Sequence, residues 1–170
     1  MRHFIEVIIA EDSIIESIES DWIYGNKLTL SQGFSLIPMT TNFFDDINDL
    51  VNIRKVDSFD EFKFLSSSVE ELLMHKSHNS RVAYIETDYW GGAGVQTGIL
   101  FENQKMKMGP LKTEIVWIER DNSYQQIPQG KTAVNRILEQ LGVSRIGEKD
   151  EFDSLGLGNF RSNEDIINSM

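Results

Sequence analysis

The chain contains no cysteine. Disulfides, thiolate nucleophiles and cysteine metal sites are therefore excluded, and a reducing compartment is the matching environment. Basic residues are scarce, with 16 Lys and Arg against 27 Asp and Glu and a net charge of -11. Nucleic-acid binding draws most of its affinity from cations that neutralise phosphates. Here the cations form no dense stripe and are not interleaved with the aromatics, as a single-strand platform requires, so we expect no nucleic-acid partner. Long apolar runs are missing as well. The N-terminal apolar stretch, residues 4–10, is broken by Glu6 and followed by Glu11 and Asp12. A secretory leader needs an uninterrupted apolar core, and a membrane span needs ~18 apolar residues. We expect a cytoplasmic protein with no membrane partner. Internal repeats, low-complexity linkers, a G-x-S-x-G elbow and an H-E-x-x-H zinc motif are also absent.

What is present is ordinary globular composition, 40% hydrophobic and 25% charged over 170 residues. That length suits one domain with a core that needs no staples. The acidic surface keeps a protein in solution, and it also suits a basic protein partner or a cationic ligand.

Short Ile/Val-rich or alternating segments predict strands at residues 4–10, 33–39, 81–90, 95–103 and 114–118. Pro38 cannot donate to a ladder, so it belongs at a strand end or on an edge. The last of these segments is apolar on both faces, which predicts a central position. Helices are expected from a Ser13/Glu16 capping box, from a Thr41 or Asn42 cap to about Val51, and from a Ser58/Glu61 box to about His75. In the third, Phe62, Leu65, Val69 and Leu72 share one helical face, and Ser68 with Glu71 offers a second start. The stripe Ala133, Val134, Ile137, Leu138 and Leu141, closed by Gly142, predicts a further helix. Beyond about residue 144 a polar tail either docks as a short helical turn or stays loose. The expected fold is α+β: one domain, a mainly antiparallel sheet with a central hairpin turning at residues 91–94, and helices packed on it.

The hairpin carries the candidate chemistry. Its glycines look like a phosphate cradle, but such cradles join a strand to a helix N-terminus, and here a strand follows. They read instead as turn residues that tolerate positive φ. Val82, Tyr84, Glu86 and Asp88 point to one face, and Ala83, Ile85, Thr87 and Tyr89 to the other. Glu86 and Asp88 thus stand roughly 7 Å apart on one side, a spacing used for acid/base work or for holding a metal. The alternative is that the strand leaves the core after Ile85 and both acids meet water. His3 is the residue that could join them. His75 and His78 are three apart, but they fit an exposed helix end. We assign no metal site and no cofactor. Tyr89, Trp90, Gly91, Gly92, Gly94 and Gln96 form the candidate binding set, with Trp90 beside glycines as its anchor.

The hairpin segment 82–96 (VAYIETDYWGGAGVQ) resembles the AY-E-EYFGG-G-Q segment of a family of small uncharacterised bacterial proteins. Residues 1–4, 32–40 and 133–143 and the tail from Asp150 to Asp165 are similar to further stretches of that family. Trp90 stands where Phe is usual, and Asp88 where Glu is usual. The resemblance implies a family and no reaction. In size and acidity such proteins resemble the immunity and accessory proteins of bacterial toxin systems. The expected function is a protein-binding module, immunity-like, acting on a basic protein as a monomer or homodimer. The alternative is a small enzyme using the Glu86/Asp88 carboxylate pair, with or without a metal. A third reading is self-association through an edge strand near Pro38.

Overall fold

A computed structural model of the chain describes residues 2–51 and 59–170. In chain order its elements are β1 (Arg2–Glu11), α1 (Asp12–Asp21), β2 (Leu28–Thr29), β3 (Phe34–Pro38), α2 (Thr41–Leu50), α3 (Ser67–Lys76), β4 (Arg81–Trp90), β5 (Ala93–Glu102), β6 (Lys105–Ile118), β7 (Ser123–Ile127), α4 (Ala133–Leu141), α5 (Glu151–Leu155) and α6 (Asn163–Asn168). The strands form one antiparallel sheet in the order β2-β3-β1-β4-β5-β6-β7. The α+β single-domain fold read from the sequence is the observed one. Among the described residues no helix is long and apolar enough to cross a membrane.

The period of two sorts the strand residues into two cores. On one face Ile8, Ile37, Val82, Tyr84, Ile99 and Phe101 pack under α1, α2, α3 and the segment before α3. On the other, Ile5, Val7, Ile9, Leu36, Ile85 and Leu100 pack under α4, α5 and α6. Strands buried on both faces read as continuous apolar runs, which is why β1 is so rich in Ile and Val. Helices α2, α3, α4 and α5 begin where side chains take up free amides. Thr40, rather than the expected Thr41 or Asn42, caps α2, while Ser66 caps α3, Thr132 caps α4 and Asp150 caps α5. Gly142 ends α4 in the left-handed conformation at φ 117°.

Several expectations are corrected. The hairpin turn is tighter than residues 91–94, because Gly91 and Gly92 alone form it and Ala93 and Gly94 already pair with Trp90 and Tyr89. Their φ values of 61° and 91° match the positive φ that two-residue hairpin turns demand. The Ser13/Glu16 capping box does not form, since Glu11 precedes α1 without a side-chain cap. The helix expected from Ser58 is a non-helical segment up to Ser66, and Ser58 itself lies outside the described residues. Ser68 lies inside α3 and does not start it. Residues 114–118 belong to a 14-residue strand next to the sheet edge, not to a central one. Pro38 ends β3, as expected, but β2 covers that strand, so the sheet edges are β2 and β7. The tail docks: Leu155, Leu157 and Ile166 are fully buried.

Where β3 ends, the C-terminal segment takes its place beside β1. Phe4 donates its amide to the Arg161 carbonyl at 2.6 Å and bridges to Ser162 in parallel. The Glu6 amide donates to Asn163 Oδ1 at 2.9 Å. These bonds satisfy backbone groups of β1 that β3 no longer reaches.

Helix α4 seats on β5 because Gly98 has no side chain: a Cβ there would lie 2.8 Å from Ile137 Cγ1. We predict that Gly98→Val forces α4 off the sheet and lowers stability by about 2 kcal/mol, measured by urea denaturation.

Candidate functional site

The pairing of β1 with β4 sets Glu6 directly opposite Glu86 and Phe4 opposite Asp88, on the face carrying Tyr84. The segment before α3 closes over them. Together they line a cleft of about 150 Å³, with Phe62, Lys63, Val95 and Thr97 among its walls and Asp60 and Glu61 at its mouth.

Glu86 is buried at 7% exposure. Lys63 and Phe64 donate their backbone amides to its two carboxylate oxygens, each at 2.8 Å, and the Tyr84 hydroxyl donates at 2.8 Å. The two amide bonds explain why residues 59–66 are not helical, because in a helix those amides would go to carbonyls four residues back. Burial raises the Glu86 carboxyl above its ordinary range, while the three donors pull it back. Tyr84, fully buried beside two acids, is held well above the ordinary phenol range and remains a donor.

Asp88 is different. Arg2 grips it with two bonds at 3.1 and 2.9 Å, and Lys63 Nζ lies 3.3 Å away. The hydrogen bond from Arg2 holds Asp88 below the usual carboxylate range. Both cations also stand over the Phe4 ring, at 4.7 and 4.4 Å from its centroid, a cation–π arrangement at the rim of the cleft.

Glu6 is the residue that sequence reasoning passed over. It is 2% exposed. One oxygen accepts from Asn163 Nδ2 at 3.1 Å. The other, Oε1, is buried and meets no donor among the described residues. Burial, reinforced by the Glu86 charge, pushes this carboxyl up to about 8. Its signal in the sequence was the break it makes in the apolar run of β1, at a position whose period-two neighbours Phe4 and Ile8 turn inward.

Of the predicted site residues, Glu86 and Asp88 do come together in one cleft. His3 does not join them. It sits opposite Tyr89 on the other face of the sheet, with Nδ1 3.0 Å from the Thr87 hydroxyl. The strand period that separates Thr87 from Glu86 separates His3 from the acids. The binding set also divides. Tyr89, Gly94 and Gln96 lie on the α4 face, where the missing Gly94 side chain makes room for the Tyr89 ring and Gln96 accepts from the Val134 amide. Gly91 and Gly92 make the turn, and the Tyr124 hydroxyl donates to the Gly91 carbonyl at 2.6 Å. Trp90, 72% exposed, lies one same-face step beyond Asp88. His75 and His78 are exposed at and just beyond the end of α3, and His78 lies within bonding distance of Asn79 and Gln104. Among the described residues no three of His, Asp and Glu converge to hold a metal.

Comparison of the chain with protein-family models, with curated proteins and with solved structures found no match. The functional reading therefore rests on the cleft itself.

Glu86→Ala strands two amides and a buried hydroxyl, so it should cost about 3 kcal/mol and raise hydrogen exchange at Lys63 and Phe64. Protection unchanged at those amides would contradict the pinning role. Glu6 keeps a proton in the native state at pH values where the unfolded chain has already lost it. The native state should therefore weaken as pH rises from 4.5 to about 8, by at most about 1.4 kcal/mol per pH unit. Glu6→Gln, which mimics the protonated form, should flatten that slope in urea titrations at several pH values.

Proposed function

We propose that this chain is a protein-binding module for a basic partner, and that the partner engages it at the Glu6–Glu86–Asp88 cleft. One observation carries the reading: a buried carboxyl oxygen on Glu6, in the wall of an acidic cleft, has no donor from the described residues. An acceptor in that state costs free energy until a donor reaches it. The net charge of -11 supports a basic partner, since it speeds encounter with a cation and repels acids. Trp90 next to the rim supplies exposed aromatic area of the kind that anchors interfaces. An immunity-like role, covering a basic toxin, is one form of this reading and rests on size and acidity alone.

The second reading is a small enzyme. The buried acids in a cleft favour it, but Glu86 is engaged by three donors and Asp88 by two cations. The carboxyl with spare capacity and a value near neutrality is Glu6, so an acid–base role would fall to Glu6.

Affinity capture with the intact protein tests the binding reading. A basic protein should be retained at low salt and released as ionic strength rises toward roughly 0.5 M. Trp90→Ala and the mouth substitution Glu61→Lys should each weaken that complex by about tenfold or more. A complex indifferent to salt and to both substitutions would contradict the proposal.

A further inference from the structure

The cleft constrains the chemical group that fills it. Its volume of about 150 Å³ is below the roughly 300–1,000 Å³ of sites for drug-sized ligands, so it takes a side chain or a small amine. Phe4, Phe62 and Val95 offer apolar wall for an aliphatic stem beside the buried acids Glu6 and Glu86. The acids also distinguish between the two cationic side chains. A guanidinium binds best when one carboxylate offers both oxygens side by side. Neither buried carboxylate does so. On Glu6, Oε2 is held by Asn163, and the buried Oε1 has no partner among the described residues. On Glu86, Oε1 accepts from Phe64 and Tyr84, and Oε2 accepts from Lys63. Single acceptor points on two facing strands suit a compact charge with three rotatable donors. The chain's own Lys63 illustrates the match at the rim, where its ammonium lies over the Phe4 ring and against Asp88.

We infer that the cleft takes one primary ammonium group, that of a lysine side chain or a short alkylamine, onto the unpaired oxygen of Glu6. This inference rests on the binding reading above and names the group that the partner inserts. Binding is linked to a proton. The groups facing Glu6 are Glu86 and Asp88 on β4, Lys63, Asp60 and Glu61 on the closing segment, and Arg2 on its own strand. Burial, reinforced by Glu86 and Asp88, keeps Glu6 protonated in the free protein. An arriving ammonium favours the carboxylate, so the carboxylic acid proton leaves Glu6 for bulk water as the ion pair forms.

The test uses the intact protein and three probes: Nα-acetyl-lysine methylamide, its arginine counterpart and the uncharged norleucine counterpart. Binding is read by chemical-shift titration and by calorimetry in buffers of different ionisation enthalpy. We expect the lysine probe to bind about tenfold more tightly than the arginine probe, and the norleucine probe to give no saturable shift. Lysine affinity should rise by up to about tenfold per pH unit between pH 6 and 8, with release of up to one proton. Glu6→Gln should remove both the binding and the pH dependence. The probe ranking in the wild-type protein keeps the test valid if that variant is poorly folded. Equal or tighter arginine binding, no lysine binding, or binding independent of pH would overturn the inference. If the lysine probe fails while a basic partner is still captured in a salt- and Trp90-dependent manner, the binding reading stands and the ammonium assignment falls.

Discussion

The carboxylate of Glu86 is the interaction on which the cleft depends. It lies inside the sheet face, where an ion is stable only if donors replace the water it has lost. Three donors do so, two of them backbone amides of a segment some twenty residues away in sequence. The same bonds that satisfy the charge fold residues 59–66 across β4 and β1. Phe62 and Leu65 are thereby buried against the sheet, and Lys63 is delivered to Asp88. Without Glu86 the cleft would lose its outer wall.

Glu6 follows from that arrangement. The acid opposite Glu86 on β1 is desolvated by burial and repelled by the Glu86 charge. Asn163 steadies one oxygen of Glu6 and also accepts from the Glu6 amide. The C-terminal segment is thus part of the cleft's support, and its docking beside β1 ties the two ends of the chain to the site. Asp88 completes the cleft in the opposite sense: paired with Arg2 and Lys63 at the partly exposed rim, it stays ionised.

Much of the architecture was legible in the chain. The alternation in residues 81–102 set the hairpin and sorted Glu86 and Asp88 onto one face, because strand period is a local property. The stripe of α4 and its closing glycine were equally local. The failures were not local. Phe62, Leu65, Val69 and Leu72 have helical spacing, yet the first two are placed by a carboxylate on a distant strand. The opposition of Glu6 to Glu86 depends on which strands pair and in what register, and the Asn163 contact spans nearly the whole chain. His3 was misplaced for the same reason: its strand was right, but the face it shares was fixed by pairing. The long β6 and the short β7 carry many charged and polar residues on partly exposed faces, so their sequences lacked the apolar contrast by which strands are recognised.

Glu6 is a protonated carboxyl with one unpaired buried oxygen, facing Glu86 and Asp88, which are both bonded. A carboxyl-carbon NMR titration of the folded protein, with the Glu6 signal assigned by its loss in Glu6→Gln, tests this most directly. The expected midpoint is about 8. A midpoint in the ordinary glutamate range, about 4 to 5, would contradict it.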